Sequence, residues 1–200
     1  MAAAESRYEL ERRVVVAAIL AQRGDALVVT GLGSPTWDAC AAGDDPRNFY
    51  LWGGMGGAAM VGLGLALARP ERRILVITGD GEMLMGLGSL ATIGAQRAAN
   101  LSIVVLDNER YGETGMQATH TGAGVDLAGV ARASLFTEAG TVKSTEDLQA
   151  WIPKLYRSPG PVFAAVKVST GTVPLTLPLR DGTHIKNRFR EALLGKKAFE

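Results

Sequence analysis

Two short segments of this 200-residue chain carry residues suited to holding a metal ion and an anion together. The first is Gly79-Asp80-Gly81, directly after an apolar run at 73–78. The second is Asp107-Asn108, directly after an apolar run at 101–106. Asp80 offers an anionic oxygen and Asn108 a neutral one. Magnesium favours such hard oxygen donors and usually shares its shell with water and phosphate. The glycines flanking Asp80 let backbone N–H groups approach a diphosphate closely. A helix expected to start at Gly86 would add its positive end. Each segment alone also reads as plain structure: an Asp between glycines is a common turn, and Asp-Asn is a common loop pair. Together, at matched strand ends, they point to a metal-bridged diphosphate site.

The elements that must position these loops follow from the hydrophobic pattern. Short apolar runs at 26–30, 73–78, 101–106 and 161–168 predict buried strands, and Ala139 with Thr141-Val142 predicts a weaker one. Helical spacing predicts helices over 8–21, 56–68, 86–98 and 145–156, the last opened by the capping residues Ser144 and Thr145. A basic helix is expected over 183–194, and 31–45 reads as a loop with one helical turn. Strands alternate with helices and are nearly all apolar. The expected fold is α/β, a mostly parallel sheet with helices on both faces. A right-handed crossover through 86–98 makes the strands 73–78 and 101–106 parallel neighbours. Both loops then emerge at the carboxyl edge of the sheet, where open α/β folds bind ligands. Asp80 and Asn108 can converge there although they lie 28 positions apart. Residues 1–200 are expected to form one domain with a helical tail.

Composition narrows the function classes. Lys and Arg number 21 against 20 for Asp and Glu, and a net charge of +1 gives no sign of a nucleic-acid or acidic-membrane surface. Cys40 is the single cysteine, which excludes a cysteine-ligated zinc or iron–sulfur site within this chain and fits a reducing cytoplasm. Residues 1–13 are charged and lack the apolar core of a signal peptide. The apolar stretch 53–68 is broken by glycines and is short for a bilayer span.

Gly79-Asp80-Gly81, 25 intervening residues and Asp107-Asn108 resemble the thiamine diphosphate motif, in which GDG is followed by a paired NN. The first Asn of that pair is Asp107 here. The resemblance implies Asp80 and Asn108 as metal ligands, with the backbone carbonyl of Arg110 as the third. Upstream, Asn48-Phe49-Tyr50-Leu51-Trp52-Gly53-Gly54-Met55-Gly56 resembles the segment that holds the aminopyrimidine. It implies that the Gly53 carbonyl accepts from the 4′-amino group and that Met55 wedges under the cofactor and bends it. Gly33, Ser34, Gly54 and Glu82 fall at positions expected to contact the cofactor. So do Tyr111, Gly112, Glu113 and Thr114, in a loop expected to order over it. His120 in the same loop is a candidate proton donor or anion contact, and equally a solvent-exposed histidine.

Within the family the chain resembles phosphonopyruvate and sulfopyruvate decarboxylases at residues 86–93 and 106–112, and at Thr114-Gly115-Met116-Gln117-Ala118-Thr119, where relatives often read TGGQPT. The tail, with Arg180-Asp181-Gly182 and Arg188-Phe189-Arg190, is similar to theirs. This implies Mg2+- and thiamine diphosphate-dependent decarboxylation of a 2-oxo acid to an aldehyde. Only the diphosphate-binding half of such an enzyme is matched. Glu5, Glu9 and Glu11 read as solvated surface, not as the glutamate that activates the pyrimidine. That residue is expected from a separate α subunit, in an α2β2 complex or a multiple of it. Three alternatives stay open at this point: an acetohydroxyacid synthase-like carboligase, a 2-oxo acid oxidoreductase β chain, and a non-catalytic scaffold subunit.

Overall fold

A computed structural model of the chain describes residues 7–199. The strands are β1 (Leu27–Thr30), β2 (Asn48–Tyr50), β3 (Ile74–Gly79), β4 (Leu101–Asp107), β5 (Arg110–Tyr111), β6 (Gln117–Ala118), β7 (Glu138–Val142) and β8 (Val162–Lys167). The α-helices are α1 (Arg12–Leu20), α2 (Ser34–Ala41), α3 (Ala58–Ala68), α4 (Asp80–Met85), α5 (Ser89–Gln96), α6 (Leu127–Ala133), α7 (Thr145–Arg157) and α8 (Gly182–Leu194). Six strands form one parallel sheet in the order β2-β1-β3-β4-β8-β7, while β5 and β6 make a separate antiparallel hairpin.

Alternation within the apolar strands divides the core into two layers. Leu27 and Val29 of β1, Ile74 and Val76 of β3 and Ile103 and Val105 of β4 face a layer containing residues of α3, α5 and α6. Val28, Leu75, Ile77, Val104 and Leu106 face the opposite layer, with residues of α1 and α7. Such strands, covered on both faces, must be apolar throughout, which is why they read as unbroken runs. Gly62 lets α3 sit close on the sheet, since a Cβ there would lie 2.3 Å from Val76 Cγ2.

Several expected boundaries change. The helix expected over 8–21 begins at Arg12, where Glu11 caps it by accepting from the Arg13 amide. The stretch read as a loop at 31–45 contains the two-turn helix α2, with Pro35 in its first turn. Its small and polar residues hid it, and tertiary contacts hold it: buried Asp38 pairs with Arg12 and Arg13 of α1. The helix expected over 86–98 is the shorter α5, Ser89–Gln96, and a separate helix that was not expected, α4, precedes it from Asp80 to Met85. Strand β2, helix α6 and the β5–β6 hairpin were not expected from the pattern.

Helix α7 starts as expected. Ser144 Oγ accepts from the Asp147 amide at 3.1 Å, and Asp147 reaches back to the Ser144 amide, completing a capping box. We expect Ser144→Ala to cost about 1 kcal/mol. Equilibrium urea unfolding checks this, and an unchanged midpoint would remove the cap as a source of stability. The tail helix α8 is docked on the sheet end through one face. Arg188 makes a bidentate pair with Asp44 at 2.6 and 2.9 Å, and Phe189 meets Phe49 edge-on at 5.5 Å. Arg180, Lys186 and Arg190 remain exposed. Glu9 is exposed, and Glu5 lies outside the described residues.

Candidate functional site

The chain leaves β1 toward β2 on one side and leaves β3 toward β4 on the other. The loops that follow β1 and β3 therefore diverge and open a crevice at the carboxyl ends of the strands, the usual ligand position in such sheets. One cleft lies there. Leu32, Ser34 and Pro35 come from the β1–α2 side, and Gly79, Asp80, Gly81 and Glu82 come from the start of α4. Asn108, Arg110, Tyr111, Gly112, Glu113 and Thr114 come from beyond β4, and Met55 and Arg12 complete the wall. Strands β3 and β4 pair in register from Ile74↔Leu101 to Gly79↔Leu106, which brings Asp80 and Asn108 to one edge.

Asp80 is 2% exposed. Its Oδ2 accepts from Thr119 Oγ1 at 2.6 Å and from Thr121 Oγ1 at 3.3 Å. Burial, reinforced by the nearby charge of Asp107, pushes its carboxyl up to about 6 against the pull of those hydrogen bonds. Among the described residues this buried carboxylate makes no ion pair, and a divalent cation would supply the missing positive charge. The Asn108 carboxamide oxygen accepts from the Arg110 amide at 2.9 Å and keeps a second lone pair for a further contact. Among the described residues no group of three His, Cys, Asp or Glu side chains is placed to hold a metal. The available donors are one carboxylate, one amide oxygen and a backbone carbonyl. Magnesium accepts such a hard and sparse set when phosphate and water complete its shell.

The glycines of the cleft admit close packing. A Cβ at Gly81 would lie 2.7 Å from the Tyr111 ring, so glycine there lets Tyr111 close over the head of α4. Gly33, beside the lining rather than in it, has φ +78, and the Glu113 carboxylate is so near that a Cβ would fall 2.4 Å from its Oε1. Gly53 and Gly54 are exposed, with open space at the Cβ position, and do not line the cleft themselves. Met55, two residues on, does line it and is 37% exposed. Glu82, buried at the cleft wall, accepts from Thr78 Oγ1 at 2.8 Å. Burial raises its pKa. The amides of Ala58, Gly56 and Leu32 face it, although Oε1 forms no well-aligned hydrogen bond with them. His120 is exposed and outside the cleft lining, its Nδ1 3.4 Å from the Tyr111 hydroxyl. This placement separates it from the candidate ligands because Thr119 and Thr121, on either side, turn inward to Asp80.

Sequence reasoning did not find Thr119, Thr121, Arg12 or Lys167. Lys167 Nζ lies 2.8 Å from Asp107 Oδ2 and 2.8 Å from Glu109 Oε1. Burial alone would lower its pKa, but these two carboxylates outweigh burial and raise it. The available signal was a lone cation ending an otherwise apolar strand.

The crevice, the oxygen donors at the strand ends and the parallel sheet are the features of a ligand-binding α/β domain. Residues 33–166 match the family described as thiamine pyrophosphate enzyme, C-terminal TPP binding domain, and the chain belongs to that family. It is 39% identical over 186 residues to the sulfopyruvate decarboxylase subunit beta of Methanothermobacter thermautotrophicus, covering 93% of this chain and 97% of that one. It is 38% identical to the phosphonopyruvate decarboxylase of Streptomyces viridochromogenes, over 83% of this chain but only 42% of that longer protein. The crystal structure of benzoylformate decarboxylase from Polynucleobacter necessarius superposes with a TM-score of 0.70 at 18% identity, covering 83% of this chain and 34% of that one, a likeness of fold.

Proposed function

We propose that this chain is the cofactor-binding subunit of a heteromeric decarboxylase that acts on a 2-oxo acid and depends on thiamine diphosphate and Mg2+. The observation that carries the reading is the meeting of Asp80, Asn108 and Arg110 in one cleft at the carboxyl ends of β3 and β4. Its support is the family match and the likeness to a sulfopyruvate decarboxylase subunit beta along nearly its whole length. In this reading the whole chain acts as one diphosphate-binding domain and works in the cytoplasm. An α subunit supplies the pyrimidine-binding domain and the activating glutamate.

Each residue then has a task. Asp80, Asn108 and the Arg110 carbonyl hold the metal, and Thr119 and Thr121 orient the Asp80 carboxylate. Gly79 to Glu82, with Gly33 and Ser34, receive the diphosphate end. Tyr111 to Thr114 cover it from the hairpin side, and Met55 and Gly53 position the pyrimidine end. Thiamine diphosphate, when bound, supplies the electron sink that decarboxylation of a 2-oxo acid requires.

The test is calorimetric titration of thiamine diphosphate with and without Mg2+, on the chain together with its co-purifying partner. Released carbon dioxide is then measured over a panel of 2-oxo acids. Wild type is expected to bind only with metal, and Asn108→Ala to bind at least about tenfold more weakly, a change of about 1.4 kcal/mol. Binding that ignores Mg2+ and Asn108 would sink the metal assignment. Carboligation products in place of an aldehyde would sink the decarboxylase assignment.

A further inference from the structure

Asp107 precedes Asn108, and its side chain is only 3% exposed although Asp80 lies close by. What balances it comes from the neighbouring strand. Lys167 is the register partner of Asp107 across β4 and β8. Its ammonium bridges Asp107 and Glu109, the two carboxylates that flank Asn108, at 2.8 Å each. Glu109 has φ +61, a left-handed conformation that L residues other than glycine adopt at a cost. Its side chain is also gripped by the Tyr8 hydroxyl at 2.6 Å. The turn is closed internally as well. Asp107 Oδ1 accepts from the Glu109 amide at 3.1 Å and from Thr121 Oγ1 at 2.8 Å. The Thr119 amide donates to the Glu109 carbonyl at 3.0 Å. Without the ammonium, Asp107 and Glu109 would stand beside Asp80 as neighbouring anions, and their repulsion would spread the turn.

We propose that Lys167 is a positioning residue: by pairing with Asp107 and Glu109 at once, it holds the 107–110 turn in the form that presents Asn108 and the Arg110 carbonyl to the cleft beside Asp80. Its purpose rests on the cofactor reading above, while the state of the turn can be measured without any cofactor. The variants are Lys167→Met, Lys167→Arg and the double variant Asp107→Asn/Lys167→Met. Amide hydrogen exchange is followed on the cofactor-free full chain, and thiamine diphosphate–Mg2+ affinity on the chain with its partner. Lys167→Met is expected to speed exchange at the Arg110 and Thr119 amides at least tenfold, with the amides of β1 and β3 unchanged. It should also weaken cofactor binding at least tenfold. Lys167→Arg should keep both close to wild type. The double variant should regain thermal stability, because no unpaired charge remains at 107. Its Arg110 and Thr119 exchange should stay fast and its affinity weak, because Glu109 has still lost its ammonium partner and keeps only the Tyr8 hydroxyl among the described residues.

Unchanged exchange in Lys167→Met would overturn the proposal. So would exchange accelerated equally across β1 and β3, which marks a general loss of stability. A double variant with full affinity and slow exchange would reduce Lys167 to charge balance and would overturn it too. If wild type binds no cofactor under any condition, the cofactor reading falls, and the exchange result alone decides whether Lys167 holds the turn.

Discussion

Replacing Asp80 by Asn is expected to abolish Mg2+-dependent binding of thiamine diphosphate and, at the same time, to make the metal-free protein more stable. The two effects have one cause. The Asp80 carboxyl titrates near 6 in the fold against an ordinary 3.8, because burial and the charge of Asp107 disfavour its ionised form. The folded state therefore binds more protons than the unfolded state between about pH 4 and 6, and metal-free stability falls as pH rises through that window. Two pH units correspond to about 3 kcal/mol of strain present above pH 6 and absent below about pH 4. Asn has the same shape, can accept from Thr119 and Thr121, and carries no charge to desolvate. Thermal unfolding from pH 4 to 8 should show the variant melting roughly 5–10 °C above metal-free wild type at pH 7, with the gap closing toward pH 4. Added Mg2+ and thiamine diphosphate should raise the melting temperature of wild type alone. A variant less stable than wild type at pH 7 would show that the carboxylate is satisfied without a cation.

The second large effect is expected far from the cleft. Gly94 lies within α5, where a Cβ would fall 1.5 Å from the carbonyl oxygen of Ser134 and 2.7 Å from its carbonyl carbon. The obstacle is backbone at the end of α6, and it is followed by Leu135 at φ +67, so it cannot swing aside as a side chain would. Gly94→Ala should force α5 and α6 apart and cost about 3 kcal/mol or more, despite alanine's better helix propensity. Gly64 in α3 provides the control, since no atom of the described residues lies within 4 Å of its Cβ position. There the same change should stabilise by about 0.5–1 kcal/mol. Urea unfolding of the pair measures both. Equal effects would show that α5 and α6 have room to separate.

The residues at the cleft were legible because their chemistry is local. An Asp between glycines after one apolar run, and an Asn after the next, needed only the crossover rule to be placed together. The parallel sheet was legible for the same reason: strands covered on both faces must be apolar throughout. Helix α2 was not legible, because its propensity is weak and its stability comes from Asp38 meeting Arg12 and Arg13 across the fold. The short helix α4 ahead of α5 was hidden as well. Gly86 and Gly56 approach backbone to backbone there, with a Cβ at Gly86 2.3 Å from the Gly56 carbonyl oxygen. That contact brings the turn bearing Met55 against the end of α4.

The sequence by itself thus determined the class of fold, the two strand ends that meet at the cleft and the oxygen chemistry offered there. These depend on hydrophobic period, on glycine and on side-chain type, all of which are local properties. Only the tertiary structure decided that α2 and α4 diverge to open the crevice, that Thr119 and Thr121 turn inward while His120 turns out, and that Lys167 faces Asp107. Those outcomes depend on register between strands far apart in the chain. A ladder that sets Asp107 against Lys167, 60 positions away, leaves no trace in either local pattern.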